Sequence, residues 1–453
     1  MPTGPTTAGS QASSPAARPL RIDVLADSDT RWKWGALLAR RVDQGCHLTA
    51  RFLHARATPT ARQLGEVGVR PDETAEAPLA DFLTDPGLAE ADVVILAAPG
   101  GVAQSAMHGF SRAWEGRGKR PIVVTGYVGV VYEKMTDGLL LRAGADVVLA
   151  NSVFDAERFR EVFTAVGVPP ESVVETGLPF LSGDPYDPDA VARGERRYTV
   201  CFAAQPSSPA LRGERFHLLE RAAGHARLHP ERDVLVKLRS RPGEHTTHLE
   251  DFPYQRLLAR LENAPPNLSL VYGNMGEVLD RTDLSVTVSS TAALESMHRG
   301  IPTVVLTDLG IRESLGNHHF VSSGCLASWD DLDAGASPTA DPAWLRRNGV
   351  LPAGTDPFAP VRERVAELIA RRDGAGLPGL SPYYTMSRAG GYLRGLLSRQ
   401  GLEPDGSPRP GVAAEAAGAG RLAVRRLTRR SLRSVYRVAA HRLAPVIRRW
   451  GQL

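Results

Sequence analysis

Residues 287–306 read TVSSTAALESMHRGIPTVVL, and this stretch decides the fold class. An apolar strand pattern runs into three consecutive hydroxyl side chains, and a short helical pattern, a glycine and a second apolar strand follow. Gly300 is suited to end the helix, and Pro302 starts the next strand without continuing the helix. Strands that alternate with helices in this way indicate a parallel sheet covered by helices on both faces.

The same alternation fills most of the chain, in two halves of similar size. The first half contains strand patterns such as ADVVILAAPGG at 91–101 and ADVVLANS at 145–152, separated by helical patterns. The second half restarts with YTVCFAAQ at 198–205, after a segment rich in proline, glycine and charge. The sequence therefore predicts an α/β protein with two doubly wound parallel sheets and no sequence repeat between the halves.

Composition shifts along the chain predict its domain boundaries. The Pro/Ser/Thr/Ala-rich start is expected to be disordered, and because it has no apolar stretch we do not expect it to be a signal peptide. We expect a disordered tail at 1–18, a first α/β domain at 19–183, a linker at 184–197, a second α/β domain at 198–400, a second linker at 401–420 and a basic tail at 421–453.

Overall totals exclude several classes of protein. The chain has 453 residues, which suggests two or three domains, and no apolar run approaches the roughly 18 residues of a membrane-spanning helix. Its three cysteines, at 46, 201 and 325, form no CxxC pair, so neither a disulfide framework nor a zinc site is indicated. No GxGxxG, Walker A, GxSxG or HExxH motif supports a dehydrogenase, NTPase, serine hydrolase or zinc protease.

The three hydroxyls at Ser289, Ser290 and Thr291 lie where a parallel strand meets a helix N-terminus. Unpaired backbone N–H groups and the positive end of the helix dipole favour a phosphate there. Open α/β sheets bind their ligands at this edge, and Glu295, one turn into the helix, is within reach of ribose hydroxyls. Helix capping alone would also explain a Ser-Ser-Thr turn.

The stretch SSTAALESMHRGIPTVV resembles the donor-nucleotide motif of GT-B glycosyltransferases, and the whole chain resembles the actinobacterial glycosyltransferase family of DUF6716 type. Nucleotide-sugar 2-epimerases share much of the motif. The resemblance implies a GT-B fold, in which two Rossmann-like domains face each other across a cleft. It also implies that the first domain binds the acceptor and the second binds a nucleotide-sugar donor.

Basic residues follow a strand pattern in VLVKLRSRPGE at 234–244. Lys237, Arg239 and Arg241 alternate, so they are expected on one side if the strand extends that far. Bacterial GT-B enzymes often carry K-x-H-P here, and Arg239 stands where that histidine would be. Arginine pairs well with phosphate oxygens, so the resemblance still implies contacts to the donor phosphates. Solvated charges at a strand end are the alternative.

Two further strand ends supply candidate donor contacts. Gln205 and Ser207 lie in CFAAQPSSP and would face the crevice between the domains, although a plain turn explains them equally well. Gly273 and Asn274 lie in VYGNMGEV, where the resemblance implies backbone contacts to the base.

The first half supplies the candidates on the acceptor side. Asp27 and Asp29 follow the first strand, and either could serve as the general base for an acceptor hydroxyl or cap the helix that starts near Thr30. Tyr127 and Glu133 lie in and after a Gly-rich turn and are further acceptor-side candidates. Trp32 and Trp34 suit either stacking on the acceptor or ordinary packing, and packing is favoured.

No metal or cofactor is expected besides the nucleotide-sugar substrate. The histidine pairs His245 with His248 and His318 with His319 lack carboxylates at a convincing ligand spacing. GT-B enzymes generally do not need a metal. His318 or His319 could instead contact the donor.

The C-terminal tail differs in charge from the rest of the chain. Residues 421–453 contain ten arginines and no acidic residue, which leaves 44 basic and 50 acidic residues elsewhere. An apolar stripe with arginines opposite predicts a basic amphipathic helix on an anionic membrane surface, kinked at Pro445. Packing on the body and nonspecific nucleic-acid binding are the alternatives, and no specific nucleic-acid partner is expected.

Taken with the resemblance, these patterns predict a glycosyltransferase that moves a sugar or related unit from a nucleotide-activated donor to a cell-envelope glycan or glycolipid. We expect it in the cytoplasm, on the inner face of the plasma membrane if the tail binds lipid. A nucleotide-sugar 2-epimerase and a non-catalytic nucleotide-sugar-binding or scaffold protein are the rivals.

Overall fold

Buried apolar strands form two separate parallel sheets in the computed structural model. The structure describes residues 18–54, 59–131, 135–241, 244, 250–352 and 354–410. Glu133, the pair His245 and His248, and the tail at 421–453 therefore lie outside the described residues. Among the described helices, none combines the length and the apolar character needed to cross a membrane.

The first sheet has seven strands in the order β3-β2-β1-β4-β5-β6-β7, and every neighbouring pair is parallel. Central strands are apolar on both faces because helices cover both, as is usual for parallel sheets. The strands are β1 Arg21–Ala26, β2 His47–Leu53, β3 Glu73–Ala77, β4 Val93–Ala97, β5 Ile122–Gly126, β6 Val147–Ala150 and β7 Val173–Glu175. Their helices are α1 Asp29–Val42, α2 Ala61–Val67, α3 Leu79–Phe82, α4 Pro86–Ala89, α5 Gly100–Ala113, α6 Met135–Leu140 and α7 Val153–Ala165, with a 3-10 turn at Pro170–Ser172.

The second sheet has six parallel strands in the order β10-β9-β8-β11-β12-β13. The strands are β8 Thr199–Ala203, β9 Asp233–Lys237, β10 Leu268–Val271, β11 Leu284–Thr287, β12 Thr303–Leu306 and β13 Leu326–Ala327. Their helices are α8 Arg212–Leu228, α9 Tyr254–Leu258, α10 Met275–Leu279, α11 Ala292–Arg299, α12 Trp329–Asp333 and α13 Pro342–Arg347, with 3-10 turns at Glu313–Leu315 and Asn317–Phe320.

The stretch at 287–306 forms β11, α11 and β12, as its pattern predicts. Gly300 ends α11 with φ +79°, a left-handed conformation that favours glycine because it has no Cβ. The adjacent strands β11 and β12 pair in parallel, with Ser285 opposite Thr303. This unit brings the three hydroxyls to the carboxyl edge of the second sheet.

Two C-terminal helices, α14 at Ala359–Gly374 and α15 at Met386–Arg399, pack on the first sheet. Val361 and Val365 of α14 are buried in the same cluster as β1 and β5, and Leu393 and Leu397 of α15 lie in the cluster that contains α5. The expected second domain at 198–400 is wrong in this respect, since its last helices belong with the first sheet. Helical periodicity reveals an apolar face but does not reveal which sheet that face covers.

The two tryptophans of α1 are packing residues. Trp32 and Trp34 are 0% and 1% exposed, and the Trp32 ring meets Phe52 edge-on at 5.5 Å between centroids. The acceptor-stacking alternative is therefore wrong. Both rings hold α1 against the sheet, which fixes the position of the polar residues at its N-terminus.

Candidate active site

The carboxyl edges of the two sheets face each other across an interdomain cleft. At one end of the cleft, Arg62 of α2 makes an ion pair with Glu244, and the Asn274 amide nitrogen donates to the Glu66 carbonyl at 2.9 Å. Both contacts join the segments that follow β2 in the first sheet to those that follow β9 and β10 in the second.

The centre of the cleft is crossed by charged pairs. Arg239, just after β9, lies 2.7 Å from Asp29 at the start of α1 and also contacts the Thr30 hydroxyl. Lys33, one turn further along α1, lies 3.9 Å from Glu295 of α11. Charged groups from both domains therefore meet beside the N-terminus of α11.

The three side chains of the hydroxyl turn at 289–291, named the donor turn, make different contacts. Ser289 is buried: its backbone N–H donates to Gln205 Oε1 at 3.0 Å, and its hydroxyl donates to the Leu315 carbonyl. Ser290 Oγ accepts from the Ala292 N–H at 3.2 Å, so it caps the helix start. The Thr291 side chain makes no capping bond, and its methyl group lies 3.4 Å from where a Cβ on Gly129 would be. Thr291 thus faces the first domain across the cleft.

Glu295 lies at the domain interface but is only 8% exposed, although an open cleft position was expected. Burial raises the pKa of its carboxyl group, and the nearby charges of Lys33, Arg299 and Lys237 oppose that rise. Closure of the first domain over α11 is the physical reason for the burial, because Lys33 comes from that domain. Lys33 was not among the residues predicted from the sequence. Its position one turn into α1 was the only feature that could have marked it as a cleft residue.

Lys237 ends β9, and Arg239 and Arg241 follow it, so the strand does not extend as far as the expected alternation requires. Lys237 is buried and its Nζ donates to the Leu238 carbonyl at 2.8 Å. Arg239 is half-buried on Asp29, whereas Arg241 is exposed with its guanidinium 5.7 Å from the centroid of the Tyr272 ring. β9 ends at Lys237, so the strict alternation of a strand no longer applies to the residues that follow.

The environment of Lys237 favours its uncharged form. Burial lowers the pKa of the Lys237 ammonium, while the neighbouring thiol of Cys201 and the carboxylates Glu66 and Glu295 raise it. Lys33 also lowers it, which places two ammonium groups near each other at this site. A bound anion would therefore stabilise the charged form of Lys237.

The remaining donor-side candidates are largely structural in this conformation. Gln205 holds the donor turn, and Ser207 is exposed in the loop after β8. Gly273 has φ +95°, and Asn274 Oδ1 accepts from the Gly276 N–H at 2.7 Å to cap α10. Asn274 therefore serves both as a helix cap and as a link between the domains.

Both candidate bases are held by arginines. Asp27, just before α1, pairs with Arg31 at 2.7 Å, and Asp29 pairs with Arg239. Tyr127 is half-buried; its hydroxyl donates to the Met135 carbonyl at 3.1 Å, and the Arg142 guanidinium lies 4.1 Å from its ring centroid. Burial raises the pKa of Tyr127.

A small cavity between the domains contains residues that the sequence analysis did not select. It lies at the carboxyl end of β6 and the start of α7, opposite the 3-10 turn at Asn317–Phe320. Asn151 and Asp155 line it from the first domain, and His319 lines it from the second. In the sequence, these residues could have been found from Asn151 and Ser152 at the end of a strand pattern with Asp155 soon after. The same pattern is also that of an ordinary helix start.

Among the described residues, no group of three or more histidine, cysteine, aspartate or glutamate side chains is placed to hold a metal ion. His319 is half-buried, and this burial together with His318 lowers the pKa of its imidazole to about 4. His318 and His319, although consecutive in sequence, belong to no such cluster of metal-binding side chains among the described residues.

Several solved structures are similar to this chain at low identity. S. aureus MnaA in complex with UDP has 12% identity and a TM-score of 0.49, covering 80% of this chain and 100% of its own. Neisseria meningitidis UDP-GlcNAc 2-epimerase bound to UDP-GlcNAc has 10% identity and a TM-score of 0.46, with coverages of 78% and 100%. A Polygonum tinctorium UDP-glucosyltransferase capable of glucosylating indoxyl has 14% identity and a TM-score of 0.43, with coverages of 85% and 100%.

At the level of sequence, no curated protein matches this chain. A family model does match, over residues 22–368, which spans both sheets and every residue at the centre of the cleft. Two facing Rossmann-like domains with the donor turn at the second domain's edge form a GT-B fold. The chain belongs to the family described as "Putative glycosyltransferase (DUF6716)".

Proposed function

We propose that this glycosyltransferase moves a sugar or related unit from a nucleotide-activated donor to a hydroxyl of a cell-envelope glycan or glycolipid. The observation that carries the proposal is a pair of ion pairs across the cleft: Lys33 of α1 with Glu295 of α11, and Arg239 with Asp29, one turn earlier on α1. Cations beside a helix N-terminus suit the diphosphate of such a donor. The family match over residues 22–368 supports the transfer chemistry.

In this proposal the donor diphosphate takes the place of carboxylates. Arg239 is paired with Asp29, and Lys33 with Glu295. An arriving phosphate competes with Asp29 for the Arg239 guanidinium, and Glu295 turns to the ribose hydroxyls. Arg239, Lys237 and the α11 N-terminus then stabilise the negative charge that develops on the leaving nucleotide. No metal or cofactor takes part, because these groups supply the charge.

A ligand panel tests the proposal. Thermal unfolding would be followed with UDP, CMP, CDP, GDP and their sugars, since a ligand at about 100 times its Kd stabilises the folded state by about 2.7 kcal/mol. We expect one nucleotide family to raise the Tm and its sugar to be consumed with release of nucleotide, in EDTA as well as in magnesium. A protein that responds to no nucleotide would overturn the proposal and favour the scaffold alternative.

A nucleotide-sugar 2-epimerase is the second candidate, because the SSTxxxE and GxP pattern at 289–302 is shared with that class. The two activities give different products without any need to know the acceptor. An epimerase returns a nucleotide-linked epimer from donor alone, whereas a transferase links the sugar to an added membrane or glycan extract. Chromatography of the sugar products distinguishes them.

A further inference from the structure

The cavity between the domains has the dimensions of a single hydroxyl or water. Its volume is about 20 Å³, and a water needs roughly 10–15 Å³ measured in this way. Val130, Phe154 and Leu178 supply apolar walls, while Asn151, Asp155 and His319 supply polar ones. Such a site is too small for a sugar ring in this closed conformation, but it fits the one hydroxyl that reacts.

Asn151 presents an unused hydrogen-bond acceptor to this cavity. Its amide nitrogen donates to the carbonyls of Tyr127 at 2.8 Å and Gly129 at 3.2 Å. These two carbonyls fix which side-chain atom is the nitrogen, so the other atom is the oxygen. Oδ1 is buried and has no hydrogen-bond partner in the described part of the chain, and the residue is 4% exposed. A buried acceptor without a partner points to a missing donor.

Asp155 supplies a second acceptor beside it. The residue is 7% exposed, and its backbone N–H donates to Ser152 Oγ at 3.0 Å. No lysine or arginine of the described ranges makes an ion pair with its carboxylate. Burial raises the pKa of Asp155 to about 6, against the opposing hydrogen bond from Ser152. Asp155 thus differs from Asp27 and Asp29, which are both neutralised by arginines.

The cavity adjoins the donor turn. Asn151 holds the Gly129 carbonyl, and Gly129 is the residue that faces the Thr291 methyl group across the cleft. The next residue, Val130, lines the cavity itself. A hydroxyl bound here is therefore separated from the proposed diphosphate site by a single turn of chain.

We propose that Asn151 and Asp155 bind the reacting hydroxyl of the acceptor, and that Asp155 is the general base of the transfer. The inference rests on the proposed function. Two hydrogen-bond acceptors require a ligand that donates, which an alcohol does and a phosphate or carboxylate does not. As the acceptor oxygen bonds to the sugar carbon, its proton passes to the Asp155 carboxylate. The bond from that carbon to phosphate breaks, and the nucleotide leaves with its electron pair.

The groups around Asp155 keep a constant charge in the pH range near 6, in which the Asp155 carboxyl group titrates. Tyr127 is neutral because its pKa is raised, and Arg142 beside it is always protonated. His319, from the second domain, is neutral above about pH 5 because its pKa is lowered to about 4. On α13, Arg347 pairs with Glu157 of α7, at 2.9 Å. A step near pH 6 in the rate therefore reports on Asp155.

Water can act as the acceptor in the test, so the natural acceptor is not needed. Nucleotide release from the donor sugar that the ligand panel selects is measured for the wild type, Asp155→Asn and Glu161→Gln. The control, Glu161, is an exposed carboxylate on the same helix, 3.0 Å from Arg158. We expect Asp155→Asn to keep nucleotide affinity within about twofold and to lower release about 10²-fold or more. The wild-type rate should rise with pH up to about 6 and then level off.

The outcomes separate this inference from the function on which it rests. Equal release by the wild type and Asp155→Asn, or a wild-type rate without a step near pH 6, would overturn the role of Asp155 alone. If Asp155→Asn did not fold, the wild-type pH profile would decide. A wild type that binds and consumes no nucleotide sugar would overturn the proposed function, and the role of Asp155 with it.

Discussion

The Asp29 carboxylate lies 2.7 Å from the Arg239 guanidinium and joins the first domain to the second at the centre of the cleft. Asp29 opens α1 directly after β1, and Arg239 follows β9, so each stands at the carboxyl edge of its own sheet. In the proposed function, Asp29 therefore competes with a donor phosphate for the Arg239 guanidinium.

If a donor phosphate displaces Asp29, then Asp29→Asn should tighten nucleotide binding, because the competing anion is gone. We expect about a tenfold lower Kd for the nucleoside diphosphate, or about 1.4 kcal/mol. Arg239→Ala should weaken it instead, and neither change should alter binding of the unphosphorylated nucleoside. Titration calorimetry gives the Kd of each ligand for the wild type, Asp29→Asn and Arg239→Ala. Glu157→Gln, which breaks an exposed pair with Arg347, is the control; an unchanged or weaker affinity in Asp29→Asn would rule out the competition.

Glu295→Ala should weaken binding of the nucleotide sugar by about 1.5–3 kcal/mol, the range for one hydrogen bond to a charged group. The matched control is Glu277→Ala, an exposed carboxylate on the preceding helix α10. Titration calorimetry with circular dichroism of each variant separates binding from folding. Full affinity in a folded Glu295→Ala protein would remove Glu295 from the site and leave it as a structural partner of Lys33.

The two parallel sheets and the turn at 289–291 between β11 and α11 could be predicted from the sequence, because apolar strands alternating with helices and a hydroxyl-rich strand end are local signals. The edge strand β3 could not, since ETAEA at 73–77 has no apolar alternation of the usual kind. Likewise, the pairing of Lys33 with Glu295 depends on how two domains close. Such contacts between residues far apart in sequence leave no trace in spacing.

Asp155 illustrates the same limit for the acceptor side. Its position three residues after Ser152 is that of an ordinary helix start, and only the packing of Leu178 and His319 from other segments makes it a buried group in a cavity. By contrast, Asp27 and Asp29 stand out in the sequence because they follow a strand. Arg31 lies four residues after Asp27, whereas the pairing of Arg239 with Asp29 depends on how the two domains meet.

The raised pKa of Asp155 makes a stability prediction that does not depend on any substrate. Its folded-state pKa of about 6 exceeds the ordinary aspartate value of 3.8, so the ionised carboxylate destabilises the folded state. That penalty is absent below about pH 4, grows as pH rises to 6 and is complete above it, at roughly 3 kcal/mol. Asp155→Asn should therefore raise the free energy of unfolding in urea at pH 8 and change it little at pH 4. A variant no more stable than the wild type at pH 8 would contradict the buried, unpaired carboxylate.

The turn after α13 closes the Asp155 cavity by a close backbone approach. Gly349 has φ +75°, and a Cβ there would lie 2.1 Å from the Asn151 carbonyl oxygen. Gly349→Ala should lower the Tm and disturb the cavity wall, because a backbone atom cannot move aside. Gly354→Ala is a matched control, since its φ of +88° imposes similar strain but nothing lies within 4 Å of the added methyl. Equal losses of Tm would mean that backbone strain alone sets the cost and that the contact with Asn151 contributes nothing.

The basic tail at 421–453 gives a prediction about location. Its ten arginines without an acidic residue, and the apolar stripe of Leu432, Val435, Ala439, Leu443, Val446 and Trp450, suit an anionic lipid surface. An enzyme that acts on a lipid-linked acceptor would gain from such an anchor, because it holds the cleft at the membrane. The full chain should co-sediment with phosphatidylglycerol-rich vesicles at low salt and be released at high salt, since surface charges are screened. A chain ending at Gly420 should stay in the supernatant and keep its nucleotide affinity. If both forms partition alike, the tail is no anchor and is better understood as a part of the body.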